Sequence, residues 1–69
     1  MKKLQISLAA ARVNAGLTQR DVAAALGVAP NTVCDWENGK TELSYNRALA
    51  LAEMYNMPLD YIFLPAKSD

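Results

Sequence analysis

The chain contains no histidine and a single cysteine, Cys34. Without an imidazole, or a thiol beside a base, it lacks the usual groups for general-base or nucleophilic catalysis, and its acids are scattered rather than paired. Its three glycines are isolated and form no phosphate-cradling loop. An enzyme therefore finds no footing here. Nothing suggests a cofactor, a metal site or a small-molecule ligand. One cysteine cannot build a disulfide framework, so a reducing cytoplasmic setting is expected. No apolar run is long enough to span a membrane. Lys2-Lys3 followed by Leu4 to Ala11 has the outline of a signal peptide, but Gln5 and Ser7 interrupt it and cleavage would remove a helix. Strand-like alternation, repeats and low-complexity linkers are all missing.

Sixty-nine residues are read as one domain, 1–69, with a core over about 6–64 and a small stability margin. Zero net charge argues against a strong electrostatic grip on nucleic acid. The charges are unevenly placed, however. Residues 1–41 hold Lys2, Lys3, Arg12, Arg20 and Lys40 against Asp21, Asp35 and Glu37, a balance of +2. Residues 42–69 hold Arg47 and Lys67 against Glu42, Glu53, Asp60 and Asp69, a balance of −2.

Periodicity and capping signals predict an all-α fold, a compact bundle of about five short helices. Ser7 caps a first helix over about Leu8 to Ala15, burying Leu8, Ala11 and Ala15, with Leu4 or Ile6 stapled below. Thr18, with an acid three residues on, caps a second helix from Gln19 to Leu26 that buries Val22, Ala23 and Leu26. Gly27 permits a left-handed turn residue. A third helix starts at Pro30, with the weak cap Ala29 before it, and ends near Asn38-Gly39. A fourth follows Ser44 and buries Ala48, Leu51, Ala52 and Tyr55. A fifth opens at Pro58 and inserts Leu59 and Ile62.

The second and third helices, joined by so short a turn, form a helix-turn-helix over Thr18 to Lys40, a device that lays one helix in the major groove of DNA. At 100° per residue the third helix divides into two faces. Val33 and Trp36, with Ala29 and Glu37 beside them, face the bundle. Asn31 and Asp35 point the opposite way, with Cys34 and Asn38 on one flank, Thr32 on the other, and Pro30 at the leading end. An asparagine can pair with adenine N6 and N7, while an aspartate can only accept, which suits cytosine N4. The plainer reading is a solvated helix face. Trp36 reads as core rather than a stacking platform, and Cys34 as a neutral flank rather than a redox sensor.

The run Ala11-Arg12-Val13-Asn14-Ala15-Gly16-Leu17-Thr18-Gln19, then Val22-Ala23, Leu26-Gly27-Val28 and Trp36-Glu37-Asn38-Gly39-Lys40-Thr41, closely resembles the lambda-repressor-like, or Xre-type, helix-turn-helix family. The ending Leu51 to Ile62 adds to the likeness, which spans Ile6 to Leu64. The resemblance implies a five-helix bundle that binds double-stranded operator DNA, usually as a dimer. It places Gln19 at a phosphate-clamping position, and puts Asn38, Gly39, Lys40 and Thr41 in a loop touching the DNA backbone. Arg12 and Glu37 match a structural pair. Arg20 and Thr32 are further candidates for backbone contact. Each has a bland counterpart: Gln19 as a first-turn polar residue, Arg20 as a solvated cation, Asn38-Gly39 as a helix end.

Tyr61, Phe63 and Leu64 are left as a terminal apolar cluster, read either as a homodimer interface or as a lid over the first and fourth helices. The function expected is a sequence-specific transcriptional regulator, a phage- or mobile-element-type repressor on a palindromic operator. Two alternatives stand beside it: the antitoxin of a toxin-antitoxin pair, and a protein-interaction module that kept the fold without DNA binding. The short stretch after Leu64 is expected to disfavour the antitoxin and an appended effector domain.

Overall fold

The computed structural model describes residues 4–64. In chain order these form β1 (Ile6–Ser7), α1 (Leu8–Asn14), α2 (Gln19–Leu26), α3 (Pro30–Glu37), α4 (Tyr45–Met54), a 3-10 turn (Leu59–Tyr61) and β2 (Ile62–Phe63).

Short helices nucleate poorly, so their ends matter. Three of the four begin on a hydroxyl. Ser7 Oγ accepts from the Ala10 N–H at 3.0 Å and Ser44 Oγ from the Arg47 N–H at 3.2 Å. Thr18 and Asp21 close a reciprocal box: Thr18 Oγ1 accepts from the Asp21 N–H at 3.0 Å, and Asp21 Oδ2 from the Thr18 N–H at 2.9 Å. The backbone bond from Thr18, then its hydroxyl, holds the Asp21 carboxyl below its ordinary pKa. Ala29 gives α3 no side-chain cap; Pro30, lacking an N–H, suits its first position.

The helices stop in a common way. Val28 N–H returns to Ala23 O at 3.0 Å across Gly27, and Lys40 N–H to Asp35 O at 2.9 Å across Gly39. α4 closes likewise, Met57 N–H to Ala52 O at 3.0 Å, but its left-handed residue is Asn56 with φ 54°. Each closure satisfies an orphan carbonyl and ends its helix.

The core gathers Leu8 and Ala11 from α1, Val22 and Ala23 from α2, Val33 and Trp36 from α3, Leu51 and Ala52 from α4, then Tyr55 and Ile62. Alanines let the helix axes approach closely. Leu8, Leu51, Val22 and Val33 are fully buried, each worth roughly 1.5–3 kcal/mol. Ile6, Leu17 and Leu26 pack around them half-buried.

Two expectations need correction. The predicted fifth helix is a single 3-10 turn, after which Ile62–Phe63 runs extended and pairs in parallel with Ile6–Ser7, so the fold is helical with a two-stranded sheet rather than all-α. Tyr61, Ile62 and Phe63 favour extended backbone, and three residues make too few helical bonds to outweigh that. Gln5 Nε2, donating to Asp60 O at 3.1 Å, ties the turn to the strand pair. α1 also ends at Asn14, one residue short of Ala15, which is exposed; Leu4 is 90% exposed, and Ile6 is the residue that packs.

The missing cap yields a test. Ala29→Ser, supplying the hydroxyl that α1, α2 and α4 already have, is expected to raise stability by about 1 kcal/mol, read as a higher urea midpoint at unchanged slope.

Candidate nucleic-acid interface

Three residues, Gly27 to Ala29, separate α2 from α3. Gly27 takes φ 71°, and a Cβ there would meet open space, so the glycine serves backbone freedom rather than close packing. The turn lets Val22 and Ala23 pack with Val33 and Trp36, which fixes which side of α3 is inside. Val33 and Trp36 are buried, Pro30 and Asn31 exposed, and Thr32, Cys34 and Asp35 half-buried. The division into two faces matches the periodicity for Val33, Trp36 and Asn31, but Ala29 is exposed at the helix start and Asp35, expected to point fully outward, is half-buried.

Past the end of α3, Asn38 is exposed, yet its amide nitrogen already donates to Cys34 Sγ at 3.3 Å. Gly39 is buried, while Lys40 and Thr41 stand in solvent. Arg20 is exposed at the start of α2. There, two N–H groups of the first turn, those of Gln19 and Arg20, carry no acceptor among the described residues, leaving donors at the positive end of the helix.

Behind this surface Glu37 collects three elements onto one carboxylate. Its Oε2 accepts from Arg12 Nε at 2.7 Å, and its Oε1 from Gln19 Nε2 at 2.9 Å. The Arg12 guanidinium also donates from Nη1 to Leu17 O at 2.9 Å. The pair is largely withdrawn from water, with side chains 14% and 7% exposed. Low dielectric strengthens such charge-assisted bonds and raises the cost of losing one partner. Gln19 thus has an internal role beside the candidate phosphate role, since an amide nitrogen carries two hydrogens and only one is taken by Glu37.

Tyr55 sits 3% exposed with its hydroxyl buried and without a hydrogen-bond partner among the described residues. Burial pushes its pKa up to about 12; the Glu37 charge adds to the rise and the Arg12 charge opposes it. At neutral pH it is a neutral core side chain close to the ion pair.

The terminal cluster is divided by the sheet. Ile62 is buried, whereas Tyr61, Phe63 and Leu64 are 48%, 55% and 37% exposed. Phe63 therefore does not close over α1 and α4 as a lid; Ile62 takes the inward place. A shallow groove lined by Gln5, Leu59, Asp60, Ile62, Phe63 and Leu64 opens beside it.

Arg47 is the residue that reading the sequence missed. Its guanidinium donates to Leu26 O at 3.4 Å and lies 5.9 Å from the centroid of the Trp36 ring. A cation in the first turn of a helix, against the dipole, is the one signal that could have drawn notice to it.

Residues 8–62 match the model of a family described as helix-turn-helix. No curated protein and no solved structure matches the chain. No helix among the described residues is long and apolar enough to cross a membrane.

The shared carboxylate sets an expectation. Glu37→Ala strands Arg12 and unbinds Gln19, and should cost about 3 kcal/mol or more of unfolding free energy, whereas Arg12→Met with Glu37→Leu together should recover most of that loss. Urea denaturation of the two variants and the unaltered chain supplies the comparison.

Proposed function

We propose that this chain, which belongs to the Xre/lambda-repressor-like helix-turn-helix family of DNA-binding transcription regulators, is a repressor of the phage or mobile-element type that binds a palindromic operator as a homodimer. The open face of α3, backed by buried Val33 and Trp36, carries the reading. It offers Asn31, Asp35, Pro30 and Cys34 to base edges. Asn31 reads adenine and Asp35 accepts from cytosine N4; each bidentate or charge-assisted match is worth about 1–3 kcal/mol of discrimination. Asp35 also repels phosphate, so it trades affinity for selectivity.

Gln19, Arg20, Thr32, Asn38, Lys40 and Thr41 flank that face and hold the sugar-phosphate backbone through amide, hydroxyl and cationic groups. Lys40 and Arg20 are the cations among them. With so few positive groups, non-specific binding is weak and two subunits on one site supply much of the affinity. Tyr61, Phe63 and Leu64, all exposed in and around β2, form the self-complementary patch.

A second reading keeps the fold as a protein-interaction module. Zero net charge and the half-buried acid in the middle of α3 favour it.

Selection from random duplexes at about 50 mM salt decides between them. The repressor reading expects an enriched palindrome with half-sites about 34 Å apart, while an interaction module enriches nothing. On the recovered site, Asn31→Ala should change the preferred base at one position, and Lys40→Ala should weaken every sequence alike. Equal losses on every single-base variant would remove Asn31 from base reading. Phe63→Ala should stay folded by circular dichroism and lose affinity for the full operator but not for an isolated half-site. Full-operator binding equal to that of the unaltered chain would take Phe63 out of the interface.

A further inference from the structure

Arg47 occupies the third position of α4, in the first turn, where the positive end of the helix dipole disfavours a cation. Its contacts lie on other helices. Leu26, whose carbonyl it meets, is the last residue of α2, where free carbonyls and the negative end of the dipole favour a guanidinium. Trp36, whose ring it overlies at 5.9 Å, belongs to the last turn of α3 and is 7% exposed. Its distance to the ring lies within cation–π range. One side chain thus touches the closing ends of both helices of the helix-turn-helix. Among the described residues it also makes the one side-chain hydrogen bond from α4 to α1, α2 or α3.

We infer that Arg47 is a positioning residue of the recognition surface: from α4 it braces α2 against α3 and sets the pose in which Asn31 and Asp35 are presented. The inference rests on the DNA-binding reading above. A planar fork suits this task because it can donate at its edge and stack on its face at once. Lysine, a point charge, cannot do both. A rival role, direct phosphate contact, would draw the guanidinium off Trp36 and would show in the salt dependence.

Trp36 is the only tryptophan, so its emission reports on the brace without a label. The experiment compares the unaltered chain with Arg47→Met and Arg47→Lys, checked for fold by circular dichroism. Trp36 emission and iodide quenching are measured without DNA, then affinity for the selected operator and an unrelated duplex across a salt series. The brace predicts altered emission and easier quenching in Arg47→Met, only partly restored in Arg47→Lys. It further predicts that Arg47→Met lowers the preference for operator over unrelated duplex about tenfold, with the slope of log K against log salt unchanged. A slope reduced by about one per subunit, with equal losses on both duplexes, overturns the inference in favour of a phosphate contact. Unchanged emission with unchanged preference overturns it in favour of a solvated side chain. Should the unaltered chain select no operator, the DNA-binding reading fails by itself; the fluorescence arm still decides the brace, since unchanged emission and quenching refute it and altered values uphold it.

Discussion

One carboxylate holds the working half of this protein together. Glu37 closes α3 while accepting from Arg12 of α1 and Gln19 of α2, so the three helices around the candidate interface meet at a single group. Both its oxygens are used and water is largely excluded. A buried ion pair contributes little net stability over apolar packing, but its bonds are short and directional and form only where Arg12, Gln19 and Glu37 meet. Apolar contact alone would tolerate small slides of α3 along its neighbours. Base reading would not, because a side chain displaced by about an ångström loses its paired hydrogen bonds.

Around that group the small core would permit several packings if the helices were not so sharply delimited. Hydroxyl caps at the start of α1, α2 and α4, and left-handed residues after the helices, set each length to within a residue. Rigidity in so short a chain comes largely from these ends. The exception is the start of α3, where Ala29 offers no cap. This weakest helix start is also the leading end of the face proposed to meet DNA, whose phosphates could accept the bonds that Ala29 does not.

The charge balance gives the same picture in electrostatic terms. A chain with zero net charge gains little from counterion release. Directional contacts must then carry most of any discrimination, so the pose of α3 gains weight. The part-buried Arg12–Glu37–Gln19 network spends its polar groups on holding α1, α2 and α3 together, and Arg47, at the surface, is inferred to act on the same pose from α4.

Most of this architecture was legible in the residues. Caps such as Ser7, Thr18 and Ser44, glycines such as Gly27, and the spacing of Val22, Ala23, Val33 and Trp36 are local signals, and local backbone chemistry acts on them wherever the chain lies. The four helices and the two faces of α3 follow from these alone. Resemblance to known sequences supplied the Arg12–Glu37 pair. The strand pair and Arg47 could not be read in this way. Ile62–Phe63 becomes a strand only because Ile6–Ser7 lies beside it, a pairing across more than fifty residues that no short window contains. Likewise Arg47 reads as a surface cation until the fold brings Leu26 and Trp36 to it. The sequence by itself therefore determined where helices begin, end and turn their apolar sides, since those depend on neighbours within a few residues. Tertiary structure alone decided the parallel strands, the exposure of Phe63 and the contacts of Glu37, Gln19 and Arg47, since each depends on partners that only folding makes adjacent.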